Sequence, residues 1–523
     1  MIYLLPHTIS NSAKRFPDRE AFRCGNAALT YRQMERRMNQ VAGVLHEANL
    51  QKGDRVGIYL NRCIETAIAM YGIMQAGGVY VPIDPKAPVS RSRFLIEDCG
   101  IKILISQPAQ KRHLAKVLEA PSNVHTLIGL NEEREGINSI SWETVFEHKD
   151  QFTLPFRLLE KDLAYIIYTS GSTGQPKGIM HTHYSGLSYA RLSAEVYDLN
   201  EKDRIGNHAP IHFDISTLGY FTSPFVGACS VIVSDAHTIF PASLADLIEK
   251  EALTVWYSVP LALIQLLQNK VLDNKKITQL RWLLYGGEPF PPKYIKALME
   301  HWPTTRFCNV YGPAEVNQCT YYHLPGPPQL DESIPIGKVW KNTDFLIINE
   351  EDQPVDQGET GELLIRSATQ MKGYWGNPEL TDQSLYKQIT DHETLLFYRT
   401  GDLVKIDQHN QMHFLGRKDF QVKIRGHRVE LDAVEASLMT HNSVSEAAVY
   451  AIQATEESKQ IAAAVILKPT VSISTEELTN FLKTQLPMYA VPEKITFVKD
   501  FPRTTSGKIK RSMIASTFSN NND

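Results

Sequence analysis

The stretch YIIYTSGSTGQPKGIMHTH, residues 165–183, carries the clearest structural signal in the chain. An apolar strand-like run ends at Tyr168, and the next six residues are all Thr, Ser or Gly. Glycines allow positive φ and a close backbone approach, while hydroxyls and exposed amides can surround phosphate oxygens. Lys177 adds a positive charge. The stretch therefore predicts a phosphate-binding turn after a strand. Its spacing excludes a P-loop NTPase, because the pattern GxxxxGK[ST] is absent.

Similar strand-like runs occur on both sides of this loop. VYVPID, ILIS, AYIIYTS, SVIVS and TVWYSV are separated by segments long enough to hold a helix. In one such segment Ile64, Ala67, Ile68 and Tyr71 share a helical face, and Gly77-Gly78 ends the helix. This alternation predicts α/β architecture with parallel sheets covered on both faces.

The texture of the sequence changes toward the C-terminus. From about residue 337 short strands with Gly and Asp turns predict a small antiparallel β subdomain. The runs SVSEAAVYAI and KQIAAAVIL predict two further strands, and Ser474 with Glu477 forms a capping box ahead of a helix. We expect a large N-terminal domain of residues 1–417, built from two α/β subdomains and the β subdomain. A smaller mobile α+β domain would span residues 418–523.

Composition excludes several classes of protein. The 523 residues include 54 basic and 58 acidic side chains, and 43% of them are hydrophobic. The net charge of −4 disfavours binding to nucleic acid or anionic lipid. Apolar runs are too short to cross a bilayer, and the N-terminus does not resemble a signal peptide, which predicts a cytoplasmic protein. The six cysteines contain no CxxC pair, so we expect free thiols and no zinc site.

Five further motifs follow the phosphate loop along the chain. They are NVYGPAE (309–315), GELLIRS with GYW (361–375), YRTGDL (398–403), GRKDFQVKIRGHRVEL (416–431) and PRTTSGKIKR (502–511). With the loop, and in this order, they resemble the adenylate-forming enzymes. That superfamily includes acyl-CoA synthetases, luciferases and the adenylation domains of nonribosomal peptide synthesis. The resemblance implies an AMP-forming ligase that uses ATP and Mg²⁺.

The resemblance also implies a nucleotide site. Tyr311 would stack on adenine, and Asp402 would accept the ribose hydroxyls, a bidentate role that suits a carboxylate. Glu315, together with Thr173, would hold Mg²⁺, a cation that prefers oxygen ligands. The implied nucleotide-binding residues are Thr169, Ser170, Gly171, Ser172, Thr173, Gly174, Gly287, Glu288, Asn309, Tyr311, Gly312, Pro313, Asp402 and Arg417.

The same resemblance implies catalytic roles for Lys508, Lys177 and Glu315. The ammonium of Lys508 would bridge the substrate carboxylate and the α-phosphate as negative charge develops between them. Lys418 and Asp419 match the hinge about which the C-terminal domain is expected to swing. That motion would remove Lys508 after adenylation and present Gly426 near an incoming thiol.

The segment HFDIS, residues 212–216, indicates the class of substrate. It resembles the segment that faces the substrate ammonium in amino-acid-activating members of the family. A carboxylate in a pocket is costly unless it meets a cation, so Asp214 predicts an α-amino group. The alternative is that Asp214 caps a helix. The pocket positions implied by the family are Asp214, Ile215, Leu218, Tyr257, Leu284, Gly286, Val310, Gln318 and Cys319.

A mostly apolar pocket with one aromatic ring predicts a small amino acid. Its residues resemble those of free-standing prolyl activators, which favours L-proline, with D-alanine or another small amino acid as the main alternative. No phosphopantetheine attachment motif follows, so we expect transfer to a separate carrier protein in secondary metabolism. Free CoA is the alternative acceptor. A luciferase-type oxidase and a nonenzymatic nucleotide-binding relative are disfavoured, the latter because Lys508 and Glu315 are both present.

Overall fold

The computed structural model describes residues 1–132, 134–171, 175–331, 333–418, 421–455, 458–469, 471–502 and 513–514. Ser172, Thr173, Gly174, Asp419 and Lys508, which the resemblance singles out, lie outside the described residues.

The strands form five sheets among the described residues. They are β1 (Glu20–Cys24), β2 (Ala27–Thr30), β3 (Arg55–Ile58), β4 (Val79–Pro82), β5 (Ile103–Ile105), β6 (Thr126–Ile128), β7 (Asn138–Ile140), β8 (Leu163–Thr169), β9 (Lys177–Thr182), β10 (Arg204–Asn207), β11 (Cys229–Ile232), β12 (Val255–Ser258), β13 (Trp282–Gly286), β14 (Arg306–Tyr311), β15 (Thr320–His323), β16 (Lys338–Val339), β17 (Thr343–Ile348), β18 (Gly361–Ser367), β19 (Gly373–Tyr374), β20 (Leu385–Ile389), β21 (Thr394–Ile406), β22 (Met412–Arg417), β23 (Gln421–Ile424), β24 (His427–Glu430), β25 (Val444–Thr455), β26 (Ser458–Leu467) and β27 (Lys494–Phe497).

The described residues form fifteen α-helices. They are α1 (Pro6–Arg15), α2 (Tyr31–Glu47), α3 (Ile64–Gln75), α4 (Val89–Asp98), α5 (Lys111–Val117), α6 (Trp142–Glu147), α7 (His183–Val196), α8 (Ser223–Val226), α9 (Asp235–Ile239), α10 (Pro241–Lys250), α11 (Pro260–Gln268), α12 (Pro292–His301), α13 (Pro378–Gln383), α14 (Leu431–Met439) and α15 (Thr475–Gln485), with short 3₁₀ turns at Pro108–Gln110, Asp214–Ser216 and Met488–Ala490 and a π turn at Leu218–Thr222.

Two large sheets carry the predicted α/β architecture. The nine-stranded sheet has the order β16-β15-β14-β13-β12-β10-β11-β1-β2, and the eight-stranded sheet has the order β19-β9-β8-β4-β3-β5-β6-β7. The central strands of both are parallel, whereas β2, β9, β15, β16 and β19 add antiparallel edges. The predicted parallel sheets are confirmed, and the antiparallel edges were not foreseen.

The remaining sheets follow in chain order. β17, β18, β20, β21 and β22 make the predicted antiparallel unit. β23 and β24 form a two-stranded hairpin, and β25, β26 and β27 form a three-stranded sheet against which α14 packs. The apolar core of this last part includes Val434, Val449 and Leu482 and is separate from the cores of the large sheets.

Two helices show how local chemistry sets the elements. α15 begins with the predicted capping box, because Ser474 Oγ accepts from the amide of Glu477 and the Glu477 carboxylate accepts from the amide of Ser474. α3 ends before Gly77, whose φ is +82°. Contrary to the predicted single face, nearly all of α3 is buried, because it packs on α2 and the sheets together.

None of the helices in the described ranges is long and apolar enough to span a bilayer. All six cysteines are free thiols, as predicted. Burial raises the pKa of the Cys24 thiol to about 11, so this partly exposed cysteine is not a reactive thiolate at neutral pH.

Candidate active site

A cavity of about 760 Å³ lies at the carboxyl ends of β4, β8, β12, β13 and β14. Ligands of parallel α/β sheets bind at this edge, because the loops that follow the strands converge there. The predicted site residues that line the cavity are Thr169, Ser170, Asp214, Ile215, Tyr257, Gly287, Glu288, Asn309, Val310, Tyr311, Gly312, Pro313, Gln318, Asp402 and Arg417. The structure thus brings the two halves of the predicted site to one cavity.

The phosphate loop begins where β8 ends. Thr169 pairs with Lys177 across the antiparallel β8–β9 ladder, which holds the two ends of the loop side by side. A Cβ on Gly171 would lie 2.2 Å from the carbonyl oxygen of Gln175, so only glycine fits there. The buried hydroxyl of Thr169 makes no hydrogen bond within the described residues, which leaves a donor for a ligand oxygen.

Glu315 is the most heavily paired charge in the site. It is fully buried, and both of its carboxylate oxygens accept from Arg428 Nη1 at 3.0 and 3.1 Å. Lys177 Nζ lies 3.3 Å away, and the hydroxyl of Tyr374 donates at 2.8 Å. Burial alone would raise the pKa of Glu315, but Arg428 and Lys177 hold it well below its usual range. Glu315 is therefore an anion at neutral pH.

A buried carboxylate beside a phosphate loop fits a magnesium ligand chemically, since Mg²⁺ prefers oxygen donors and completes its shell with substrate phosphates. The guanidinium of Arg428 occupies both carboxylate oxygens of Glu315, where a metal ion would bind. No cluster of three His, Cys, Asp or Glu side chains suited to a metal is present in the described ranges. Glu315 would be one ligand of such a metal, and phosphate oxygens of the substrate would supply others.

Asp402 and Tyr311 form a second polar corner. Asp402 on β21 lies opposite Arg417 on β22, and Arg417 Nη1 donates to its Oδ1 at 2.6 Å. The hydroxyl of Tyr311 also donates to Asp402. Burial raises the pKa of Asp402, and Arg417 and Tyr311 oppose that shift. A carboxylate fixed by an arginine beside an aromatic ring can bind a ribose and a base.

Asp214 lies on the wall of the same cavity. It is the first residue of the 3₁₀ turn, and Phe213 is the N-cap residue. Its Oδ1 accepts only from the neighbouring Ile215 amide, at 2.9 Å, among the contacts described. Burial raises the pKa of Asp214, and the positive charge of Lys423 opposes that rise. A cation at this carboxylate would be strongly favoured.

The walls near Asp214 are apolar or engaged elsewhere. Tyr257 is only 7% exposed, and Ile215 and Val310 add aliphatic surface. The side-chain amide of Gln318 donates to the hydroxyl of Tyr197, so it is already used within the protein. The wall next to Asp214 is therefore mostly apolar, whereas Glu288, Asp402 and Lys423 line other parts of the same cavity.

Four of the predicted pocket residues do not line the cavity wall. Leu218 and Leu284 belong to the apolar cluster that includes Tyr257, and Cys319 belongs to a neighbouring cluster. A Cβ on Gly286 would lie 2.3 Å from the carbonyl oxygen of Val310 on the adjacent strand, so this glycine permits strand packing. Gly171, Lys177, Glu315 and the predicted hinge residue Lys418 also lie off the wall as described.

The β23–β24 hairpin closes the cavity from the other side. Its turn, Arg425-Gly426, has φ of 53° and 81°, as a tight two-residue hairpin turn requires. Ser170 Oγ donates to the carbonyl oxygen of Arg428 at 3.0 Å, and the amide of Gly426 donates to Glu288 at 2.7 Å. The hairpin thus contacts both the phosphate loop and the opposite wall.

Lys423 and Arg428 are functional candidates that sequence reasoning did not single out. Lys423 is half-buried near Asp402, Asp214 and Glu288, and burial lowers its pKa despite these carboxylates. Both residues occur in the predicted hinge motif, but a basic residue on a short strand cannot be told from a solvated one by sequence alone. Tyr374, in the GYW motif, is a third such residue, because its hydroxyl donates to Glu315.

Comparisons with known proteins agree on one family. Residues 9–375 match the model of the AMP-binding enzyme family, and residues 433–508 match the AMP-binding enzyme C-terminal domain. The chain is 29% identical to an L-proline–[L-prolyl-carrier protein] ligase of Pseudomonas fluorescens, covering 98% of this chain and 99% of that protein. It is 31% identical to zwittermicin A synthase ZmaJ of Bacillus cereus, over 96% of this chain and 92% of the relative.

A solved structure supports the same fold. An artificially fused adenylation–PCP di-domain from Klebsiella oxytoca, NpsA-ThdA, superposes with a TM-score of 0.79 at 24% identity, covering 94% of this chain and 93% of that one.

Proposed function

Because the chain belongs to the AMP-binding enzyme family, we propose that it activates a small amino acid with ATP. The products of this step are an aminoacyl-AMP and pyrophosphate. In a second step the aminoacyl group passes to the phosphopantetheine thiol of a separate carrier protein. The observation that carries this proposal is Asp214, a carboxylate on the cavity wall next to Tyr257, Ile215 and Val310, with only the charge of Lys423 opposing the effect of burial on its pKa.

The nucleotide half of the cavity supports the first step. Thr169 and Ser170 present hydroxyls to the phosphates, and Asp402, fixed by Arg417, accepts the ribose hydroxyls. Glu315 would hold Mg²⁺, which supplies positive charge to the phosphates when it is bound. Attack of the carboxylate on the α-phosphorus of ATP requires in-line positioning and neutralisation of the phosphate charge, and these are what the protein contributes. Lys508, outside the described residues, would act on the developing negative charge.

The amino-acid half supports a small substrate. The ammonium would pair with Asp214, and the side chain would face Tyr257, Ile215 and Val310. L-proline is our preferred substrate, since a compact ring with a secondary ammonium matches a carboxylate beside an aromatic face. A relative named an L-proline–[L-prolyl-carrier protein] ligase adds support. D-alanine or another small amino acid is the alternative.

The two steps would use two positions of the C-terminal part. We propose that residues 1–417 and 418–523 are the two domains, with Lys418 and Asp419 as the hinge between them. With the hairpin docked, Arg428 neutralises Glu315 and Gly426 lies at the cavity. This arrangement suits the second step, because the hairpin occupies groups on the phosphate loop that ATP would need in the first.

Amino-acid-dependent exchange of pyrophosphate into ATP tests the proposed function without a carrier. The panel contains the proteinogenic amino acids, D-alanine, and several fatty and aryl acids. A strong signal with L-proline alone supports the full proposal, and a signal with D-alanine instead overturns only the choice of substrate. Exchange only with acids that lack an amine would overturn the role of Asp214 and favour an acyl-CoA synthetase.

A further inference from the structure

The cavity continues past Asp214 to a wall shared by both parts of the molecule. His212 and Asp84 line it from the N-terminal part, and Tyr489 and Lys459 line it from the C-terminal part. An acceptor that enters between the two parts would pass these side chains before it reached the carboxyl carbon of an amino acid held at Asp214.

His212 and Asp84 form a pair at this wall. His212 Nε2 lies 4.0 Å from Asp84 Oδ2, and the side chains are 22% and 28% exposed. The other carboxylate oxygen, Oδ1, accepts from the amide of Lys86 at 2.9 Å, which fixes the orientation of Asp84. Among the described residues no hydrogen bond engages Nδ1 of His212. At 4.0 Å the contact is longer than a hydrogen bond, so Asp84 acts on the ring through its charge, which favours the protonated form, while Nδ1 is open to accept a proton.

Aromatic contacts tie this pair to the docked hairpin. The ring of His212 packs against Phe213, with centroids 4.9 Å apart. Phe213 meets His427 of the hairpin edge-on at 4.9 Å, and His427 stacks on Tyr489 at 3.8 Å. Docking of the hairpin therefore packs directly against the loop that positions His212.

We propose that His212, next to the carboxylate of Asp84, accepts the proton of the acceptor thiol in the second half-reaction. This inference rests on the proposed function, in which a thiol attacks an aminoacyl-AMP. His212 would be the catalytic base, and the negative charge of Asp84 would stabilise the imidazolium that forms.

The step balances without any further reagent. The S–H bond breaks as its proton passes to Nδ1 of His212, and the sulfur electron pair forms the new C–S bond at the aminoacyl carbon. The bond from that carbon to the phosphate oxygen breaks, and AMP leaves with the electron pair. The proton on His212 is then released to solvent, which restores the neutral ring.

The charges around His212 favour the neutral form that a base requires. Burial lowers the pKa of His212, Asp84 opposes that shift, and nearby cations lower it further. His427, on the other side of Phe213, has its pKa lowered to about 4 by burial and is neutral as well. The charged and titratable groups near His212 are Arg62, Asp84, Lys86, Arg91, His427 and Tyr489.

The size of the expected effect follows from thiol chemistry. A thiol with a pKa of about 8.5 is only about 3% ionised at pH 7, so a base that takes its proton can accelerate attack by up to about 30-fold there. Above the thiol pKa the advantage disappears, because the thiolate already predominates. Loss of the base should therefore appear as a change in pH dependence.

A single-turnover assay with pantetheine as the thiol tests this directly. Enzyme loaded with radiolabelled aminoacyl-AMP is separated from free ATP and mixed with pantetheine from pH 6.5 to 9.5, and the rate is taken per bound adenylate. For His212→Ala we expect a loss of about 10- to 30-fold at pH 7 that shrinks to less than twofold at pH 9.5. Added imidazole should restore part of the rate at pH 7, and Asp84→Asn should give a smaller loss with the same pH dependence.

His427→Gln is the matched control, since it alters the other histidine of the same aromatic cluster. We expect it to keep the wild-type pH profile, whatever its effect on the rate. A loss in His212→Ala that is equal at every pH, or no loss, would overturn the assignment, and so would a pH profile altered only in His427→Gln. Absence of any bound aminoacyl-AMP in the wild type would instead overturn the proposed function, and this inference with it.

Discussion

Arg428 supplies the sharpest test of how the hairpin is held. It is the only hairpin side chain described that pairs with Glu315, a carboxylate with no exposed surface. Removing one partner of a buried ion pair costs about 3–5 kcal/mol when nothing replaces it. Here Lys177 at 3.3 Å and the Tyr374 hydroxyl at 2.8 Å remain on Glu315. We therefore expect Arg428→Ala to weaken docking by about 1.5–3 kcal/mol, the value of hydrogen bonds to a charged group.

That free energy corresponds to about a 10- to 100-fold loss of the docked form, since each 1.4 kcal/mol is a factor of ten. The assay compares two rates in the same variant: transfer of the aminoacyl group from bound aminoacyl-AMP to pantetheine, and amino-acid-dependent pyrophosphate exchange. The ratio of transfer to exchange should fall by this factor in Arg428→Ala.

Arg425→Ala is the control, because it removes another arginine ion pair from the same hairpin. Arg425 pairs with Glu493 at 2.7 Å, but the two side chains are 50% and 42% exposed. An exposed pair contributes only about 0–1 kcal/mol, so the ratio should change little. Equal falls in the two variants, or no fall in Arg428→Ala, would refute the idea that the buried pair holds the hairpin.

Three further predictions use other parts of the chain. Lys508→Ala should abolish exchange while leaving transfer from preformed aminoacyl-AMP largely intact, and equal loss of both rates would contradict its assigned role. Gly426→Ala should slow transfer, because φ is +81° and a Cβ would lie 2.5 Å from Val259 Cγ1; wild-type transfer would show that the turn tolerates a side chain. Hydrogen bonds from Arg23, and then from Arg204, lower the pKa of Glu20 to about 2, so its contribution to stability is present above the ordinary carboxyl pKa and is lost as the pH falls toward 2. Glu20→Gln should lower the melting temperature at pH 7 by the equivalent of about 1 kcal/mol of stability. The difference in melting temperature between the wild type and this variant should become smaller below pH 4.5. A difference that stays the same at every pH would contradict the role given to the ionised Glu20.

Local patterns in the sequence predicted parts of the fold. The capping box of α15 joins Ser474 and Glu477, which are three residues apart, so its chemistry is visible in the chain. α3 shows the limit. Its apolar face was visible, but its burial on nearly all sides depends on packing against α2 and the sheets.

The site divides in the same way. Asp402 and Tyr311 are motif positions that meet at one cavity, because Asp402 lies on β21 and Tyr311 ends β14. The contact between Glu315 and Arg428 joins residues 113 positions apart, and no local pattern encodes it. Family positions also did not reveal which side chains reach the wall. Leu284 on β13 and Cys319, just before β15, are fully buried in apolar clusters instead.

The central claim is that Asp214 selects an amine-bearing acid, and one paired measurement tests it. Pyrophosphate exchange is compared for L-proline and cyclopentanecarboxylic acid, which keeps the ring and the carboxylate but lacks the amine, in the wild type and in Asp214→Asn. In the wild type we predict strong exchange with L-proline and at least 100-fold weaker exchange with the amine-free acid, because a buried charge left unpaired costs about 3–5 kcal/mol. In Asp214→Asn we predict a much smaller difference between the two acids. Equal exchange with both acids in the wild type, or unchanged discrimination in Asp214→Asn, would contradict the account.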